Sequence, residues 1–307
     1  MTLCQSHLAR RIPAWVHRCL LGLALVACAA GAEPPAGGGK IFLWEVKSAT
    51  NSIYIFGSVH VAKADFYPLP QAVEDAYRQA DELVVEVDVL DQAEVSKSVP
   101  LLTYAPPDSL DKHVSPEIWK QLEAASAQTK QDAATLKPLK AATLASALAI
   151  GVLAAHGYEA QSGIDLHFLN SAHADGKRVV ELESAEFQAG ILGGLTDEEG
   201  EVMLSDALEE TRSGELLRNT EKMVSAWKAG DDKSLGRLLR ETNKDAVSKK
   251  IFAKLVDERN PAMADKIAAL ASGPEHALVV IGAGHLAGEN SVLELLKAKG
   301  LQVRQLP

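Results

Sequence analysis

One short pattern occurs twice, at opposite ends of the chain, and it constrains the fold more than any other feature. Near the start it reads Ile53-Tyr54-Ile55-Phe56-Gly57-Ser58-Val59-His60. Near the end it reads Leu278-Val279-Val280-Ile281-Gly282-Ala283-Gly284-His285. Each is an apolar run of strand length followed by Gly-x-x-His. Four apolar residues ahead of a glycine suit a buried strand. The glycine permits a sharp turn or a close backbone approach where the strand ends. Each histidine then falls just past a strand's C-terminal end, where open α/β sheets hold ligands. Two such strands lying side by side would give their histidines one shared site. Taken singly, either histidine reads as an ordinary turn residue; the paired occurrence is what points to a site.

The rest of the chain supplies partners for these strands. Residues 41–46, with Trp44, form a strand joined to the first histidine strand by a polar turn over 48–52, which predicts a hairpin. A helix follows from Pro70 to about Ala80, then a strand over 82–89 whose core Leu83-Val84-Val85 ends in Glu86-Val87-Asp88. Period-two alternation puts Glu86 and Asp88 on one face. Residues 100–180 are mostly helical, with Ser115-Pro116-Glu117 a sound helix start. The stretch 139–155 is apolar and alanine-rich but short for a membrane span, and is read as a buried helix. A strand over 177–182 ends in Glu181 and Glu183, and 196–257 reads as a helical cover or lid with breaks near Gly214 and Gly230. Glu258-Arg259-Asn260-Pro261 opens a helix that carries Met263, Ile267 and Leu270 on one face. A helix over 291–299, stopped by Lys299-Gly300, and a strand over 301–306 close the chain. These elements predict an α/β fold: a mixed central sheet with helices on its faces and a helical insertion. The strands near 53–57, 83–88, 178–182 and 277–281 should be neighbours.

Composition removes several function classes. The 307 residues are 47% hydrophobic and 23% charged, which is ordinary globular usage. The formal charge is −10, and no basic run follows residue 32, which argues against nucleic-acid binding. Residues 1–32 read as an export signal: Arg10, Arg11 and Arg18 make a positive front, and Leu20 to Ala27 is an apolar run of signal-peptide length. Its end is open to two readings. Leu25-Val26-Ala27-Cys28 fits a lipoprotein signal with Cys28 lipidated, and Ala30-Gly31-Ala32 fits ordinary cleavage. The expected location is accordingly periplasmic or lipid-anchored at the cell envelope, with no other membrane contact. The cysteines, Cys4, Cys19 and Cys28, all lie in this segment. The folded part therefore has no disulfide and no thiolate ligand. Residues 33–39 read as a flexible tether and 40–307 as the folded domain.

The chemistry left to the domain is narrow. It has no cysteine nucleophile, no Gly-x-Ser-x-Gly elbow and no His-Glu-x-x-His helix. Gly282-Ala283-Gly284 is too short for a dinucleotide fingerprint. What remains is His60, His285 and the strand-end acids Glu86 and Glu183. Imidazole and carboxylate suit a divalent first-row metal such as Zn, Mn or Co, with an open position for water. A glutamate outside the ligand set would accept the proton of that water. Arg259 is a candidate for clamping a carboxylate or stabilising an oxyanion.

The ordered set Leu43-Trp44-Glu45-Val46, Phe56-Gly57-Ser58-Val59-His60, Val85-Glu86-Val87-Asp88, Gly163-Ile164-Asp165, Val180-Glu181-Leu182-Glu183, Glu258-Arg259-Asn260 and Gly282-Ala283-Gly284-His285-Leu286 resembles the TraB/PrgY/GumN family. The resemblance covers about residues 40–306. It implies a core similar to erythromycin esterase and the haem-binding ChaN proteins. Animal Tiki proteins, which look like distant relatives, are metal-dependent proteases. The resemblance thus implies an exported metal-dependent hydrolase, of peptidase type, acting on a peptide or protein. The alternative is a non-catalytic envelope protein that binds a peptide, a metal or haem. On this reading His60, Glu86 and His285 are metal ligands, and Glu183 and Arg259 act in catalysis. Ser58, Asp165 and Asn260 are assigned to substrate binding. Which acid is ligand and which is base stays open.

Overall fold

In a computed structural model of the chain, the described residues are 39–128, 132–243 and 245–307. The expected export signal over 1–32, and all but the last residue of the expected tether, lie outside them.

Among the described residues six strands build one mixed sheet. They are β1 (Leu43–Lys47), β2 (Ser52–Ser58), β3 (Glu82–Val85), β4 (Arg178–Glu181), β5 (Ala277–Gly282) and β6 (Gln302–Gln305). Their order is β4-β3-β5-β2-β1-β6. The four strands β4, β3, β5 and β2 run parallel. The expected hairpin is β1–β2, and β6 returns antiparallel to β1 at the far edge. Every position of β3 and β5 is buried, as the apolar runs require for strands covered on both faces.

The helices are α1 (Gln71–Gln79), α2 (Gln92–Ser98), α3 (Pro116–Gln128), α4 (Ala141–Ala155), α5 (Ile164–Asp175), α6 (Ala185–Gly193), α7 (Asp197–Ser213), α8 (Glu215–Lys228), α9 (Asp232–Thr242), α10 (Ala246–Phe252), α11 (Asn260–Ala271) and α12 (Val292–Ala298). A π-helical turn, Ala253–Asp257, leads from α10 towards α11. The main core joins the sheet to α1, α5, α11 and α12 through residues such as Phe56, Phe168, Met263 and Ile267. A smaller core, built on Leu110, Leu122, Leu144 and Leu204, holds the helical insertion together. The cover breaks where the sequence breaks it: Gly214 and Gly230 both have positive φ, 70° and 65°. A β-carbon at Gly230 would also stand 2.4 Å from the carbonyl oxygen of Lys40.

Two sequence expectations change. The strand expected over 82–89 stops at Val85. The Glu86 carbonyl still takes the Glu183 N–H at 2.9 Å while its carboxylate accepts from the Gly282 N–H at 2.7 Å, and by Asp88 a side chain has replaced the ladder, the Asp88 N–H donating to Glu181 Oε1 at 2.7 Å. The apolar stretch 139–155 is a helix buried mainly in its first half, at Ala141, Ala142, Leu144 and Ala145, and again at Leu153. Its alanines serve close packing, since a β-carbon at Gly200 of α7 would lie 3.1 Å from Ala141 Cβ. No helix among the described residues is long and apolar enough to cross a membrane.

One buried charge anchors this cover. Glu199, 1% exposed, closes a capping box with Thr196 and takes Lys254 at 2.7 Å and Lys250 at 2.9 Å. Burial would raise its carboxyl, yet the Lys254 hydrogen bond, the Thr196 N–H and Lys250 bring it down to about 2. Because the folded value lies below the unfolded one, the stabilisation is complete above about 4.5 and is lost as pH falls through about 2. Glu199→Gln keeps the box and removes the charge. It should cost about 3 kcal/mol at pH 7 in urea unfolding and flatten the loss of stability between pH 4.5 and 2. An unchanged acid profile would show that the charge contributes nothing.

Candidate functional site

β5 lies between β3 and β2, so both histidine-bearing ends emerge side by side, with Ser58 paired to Gly282. Glu86 follows β3 on the other flank of β5. These residues converge on Gly282. A β-carbon there would stand 3.1 Å from Glu86 Oε1, 3.5 Å from His60 Nε2 and 3.7 Å from His285 Cδ2. Gly282 therefore marks the point where the three side chains meet, and a β-carbon there would crowd the Glu86 carboxylate.

Each imidazole is held by its Nδ1. His60 Nδ1 lies 2.9 Å from Asp165 Oδ2, and the other oxygen of Asp165 accepts from Ser58 Oγ at 2.6 Å. Asp165 reaches His60 because α5 starts hard against it. A β-carbon at Gly163 would be 2.4 Å from the His60 carbonyl, and the Ile164 N–H donates to the Val59 carbonyl at 3.0 Å. His285 Nδ1 lies 2.6 Å from Asn260 Oδ1, while Asn260 Nδ2 donates to the Asn290 carbonyl at 2.8 Å. With the amide oriented this way, Nδ1 of His285 carries the proton and Nε2 keeps its lone pair. A histidine fixed through one nitrogen and open at the other is the arrangement that metal-ligating histidines use.

The two acids share one arginine. Arg259 Nη2 donates to Glu86 Oε2 at 2.6 Å and to Glu183 Oε2 at 2.5 Å, and Nε donates to Glu183 Oε1 at 3.0 Å. Gln188 Nε2 adds a second bridge, 3.0 Å to Glu86 and 2.9 Å to Glu183. The π turn completes the clamp. In it the Glu258 N–H bonds back to the Ala253 carbonyl, and the Leu255 carbonyl takes Arg259 Nη1 at 2.6 Å. π turns recur at functional sites for this kind of re-aiming.

The electrostatics divide the histidines. His285 is 4% exposed, and burial lowers it to about 4, so it is neutral at pH 7. His60, with a side chain 70% exposed, is raised by the charge of Asp165, against the effect of desolvation. Burial would raise Glu86, but His285, His60, Arg259 and the Gly282 N–H hold it down to about 2. Burial works against the charge of Arg259, and its bonds to Glu183 and Glu86 prevail.

The residues singled out in the sequence thus all gather at the C-terminal ends of the parallel strands, though not all in the expected contacts. Ser58, 2% exposed, and Asn260, 1% exposed, are too buried to touch a substrate. Together with Asp165 they orient the histidines instead. Glu183 is engaged by Arg259 and Gln188 rather than free to act as a base. Gln188 was not foreseen. Its only sequence signal is a polar residue five positions after Glu183 in an otherwise mostly apolar helix. Among the described residues no group of three or more His, Asp or Glu side chains is arranged to hold a metal ion. The acids are occupied by Arg259, Gln188 and the Gly282 N–H. The donor chemistry still fits a divalent first-row ion: two imidazoles with Nε2 open, beside a carboxylate kept ionised.

A sequence model of the family described as the TraB/PrgY/gumN family matches residues 42–305. The chain is 28% identical over 263 residues to the uncharacterized protein YbaP of Escherichia coli (strain K12), covering 84% of this chain and 94% of the relative. It is 28% identical over 244 residues to YbaP of Shigella flexneri, covering 80% and 87%. No solved structure matches.

Proposed function

The chain belongs to the TraB/PrgY/gumN family, and on that footing we propose that it is an exported metal-dependent hydrolase, a peptidase acting on a peptide or protein at the cell envelope. The observation that carries the reading is the convergence of His60, His285 and Glu86 on Gly282, with each ring anchored through Nδ1. His60 and His285 would hold the ion, with Glu86 beside them. The ion would supply Lewis acidity towards a carbonyl and towards water. The protein's own part is orientation. Asp165 and Asn260 fix the rings, and Arg259 keeps Glu86 ionised and offers positive charge to a developing oxyanion. His60 is the exposed member, so the ion it would help to hold would face solvent and substrate on its side. Because His60 is raised by Asp165, an ion must displace its proton, so affinity should rise with pH.

The test is metal analysis and titration calorimetry on the purified protein with zinc, manganese and cobalt. We expect one ion per chain, with binding weakened about 100-fold or more in His60→Ala and in His285→Ala while the unfolding curve of His60→Ala stays put. Equal metal content in wild type and both variants would sink the reading. Export rests on residues 1–32; the mass of the mature chain from cells should show loss of residues 1–27 with Cys28 lipidated, or a start at Glu33, and an intact Met1 would refute export.

One observation favours a second reading. Both acids are tied to Arg259 and Gln188, which leaves no unengaged carboxylate as base. A non-catalytic binding protein for a peptide, metal or haem needs none. Metal-loaded protein that binds peptide and never cleaves it would decide for that reading.

A further inference from the structure

The edge of the sheet nearest Glu183 carries a second feature. β4 begins the strand order, so among the described residues only β3 pairs with it. The Leu182 N–H donates to the Val85 carbonyl at 2.8 Å, which turns the even-numbered residues 180 and 182 towards β3. In a parallel ladder the alternate residues Val179 and Glu181 then face outwards with their N–H and C=O. Such an edge is a template for another strand.

Beside this edge runs a groove of about 370 Å³ between β4 and α11. Arg178, Val180 and Leu182 of one face line it, with Lys266 and Leu270 from α11 and Glu82 at its foot. Glu82 is 2% exposed, yet its cationic partner is Arg178, 3.3 Å away on a side chain 69% exposed. Burial pushes its carboxyl up, with Arg178 opposing and Glu275 and Asp81 adding to the rise. Lys266 is committed to the Leu182 carbonyl, so it does not neutralise the groove floor. The other end of the groove reaches Leu182, one residue before Glu183 of the site.

We propose that an extended peptide binds by adding a strand to the free edge of β4, with a lysine or arginine side chain in the groove against Glu82. Three features carry this: outward backbone groups, an adjoining groove with apolar walls, and a buried acid with a single surface cation. Strand addition draws affinity from main-chain hydrogen bonds and specificity from alternate side-chain pockets. The groove ends at Leu182, next in sequence to Glu183, so a peptide held at this edge would lie close to the strand end that carries the site. In that respect the inference rests on the peptidase reading and names its substrate class: extended, basic peptide segments.

The test uses fluorescein-labelled acetyl-Val-Lys-Val-Lys-Val-Lys-Val-amide and its fully N-methylated version, with polarisation read in EDTA so that no metal contributes. We expect saturable binding of the first peptide and at least about tenfold weaker binding of the second. Val179→Pro removes one outward N–H and spares the β3 ladder, so it should weaken binding about tenfold. Glu82→Gln should weaken the lysine peptide about tenfold and leave a threonine-for-lysine peptide unchanged. Equal binding of the N-methylated peptide, or no binding by wild type, overturns the proposal, and both arms use wild-type protein. A dimer that Val179→Pro dissolves would show that a second copy takes the edge, and would also overturn it. Binding in EDTA without cleavage when metal is restored keeps the edge and refutes the peptidase reading. Cleavage without edge binding does the reverse.

Discussion

Arg259→Ala is expected to cost the protein about 3–5 kcal/mol, the penalty for removing one partner from a buried charge network. Arg259 has a side chain 11% exposed and stands between Glu86, 11% exposed, and Glu183, 6% exposed. Without it two buried carboxylates face each other with Gln188 and the Gly282 N–H as their remaining donors. The sign of the pH dependence follows. In the wild type Glu86 is depressed to about 2, so its contribution is present above about 4.5 and fades only in strong acid. In the variant Glu86 loses the Arg259 cation and faces the Glu183 carboxylate unshielded, so its value rises and the deficit grows as pH rises through it. Urea unfolding should therefore show a larger deficit at pH 8 than at pH 5. Adding Glu183→Gln to Arg259→Ala should restore part of the loss, because it removes one of the stranded charges. A deficit below about 1 kcal/mol at both pH values would mean the clamp is a surface-like pair with little net worth.

Trp227→Ala should be nearly as damaging, at about 3–5 kcal/mol. Trp227 stacks on Phe66 with centroids 5.6 Å apart, touches Phe56 at 6.0 Å, and donates its indole N–H to the Gly57 carbonyl at 2.7 Å. Alanine would open a cavity and leave that carbonyl without its donor. Trp227→Phe separates the two effects. It keeps most of the ring contact and removes the bond, so its cost should be about 1–3 kcal/mol. The bond ends on the first residue of Gly57-Ser58-Val59-His60. The helical cover is therefore attached to the strand that carries the exposed histidine. If the phenylalanine and alanine variants lose the same stability, the hydrogen bond dominates and the packing argument fails.

The parts of this structure legible in the sequence are those set by local pattern. The runs before Gly57 and Gly282 are long, apolar and cleanly ended, and they become β2 and β5, adjacent and in parallel register. Glu86 and Glu183 could be placed because each follows an apolar strand core. The role of their neighbours could not. Asp165 orients His60 only because α5 is pressed against the His60 backbone, and Asn260 orients His285 only because α11 starts beside the turn after β5. Both are facts of packing between segments about 105 and 25 positions apart. The expected strand over 82–89 failed for the same reason. The Asp88 N–H finds the Glu181 carboxylate instead of a ladder carbonyl, and only the folded sheet reveals it. Gln188 leaves only a faint mark, a polar residue in a mostly apolar helix, because its partner Glu86 is 102 positions away.

The position of β5 in the sheet bears on how the chain comes into being. This strand is the fifth of six in sequence, yet it sits at the centre, between β3 and β2. A nascent chain on the ribosome holds β2 and β3 long before residues 277–282 exist, and those two strands cannot pair with each other in the native order. Until β5 emerges, both present open edges, and closing the sheet joins segments more than 200 positions apart. Contacts of that range are slow to form. His285 follows β5 directly, so the last strand to join the parallel set also delivers the second imidazole. Sheet closure and assembly of the site therefore come together, and a chain cut short before residue 277 contains neither a closed core nor a paired histidine site.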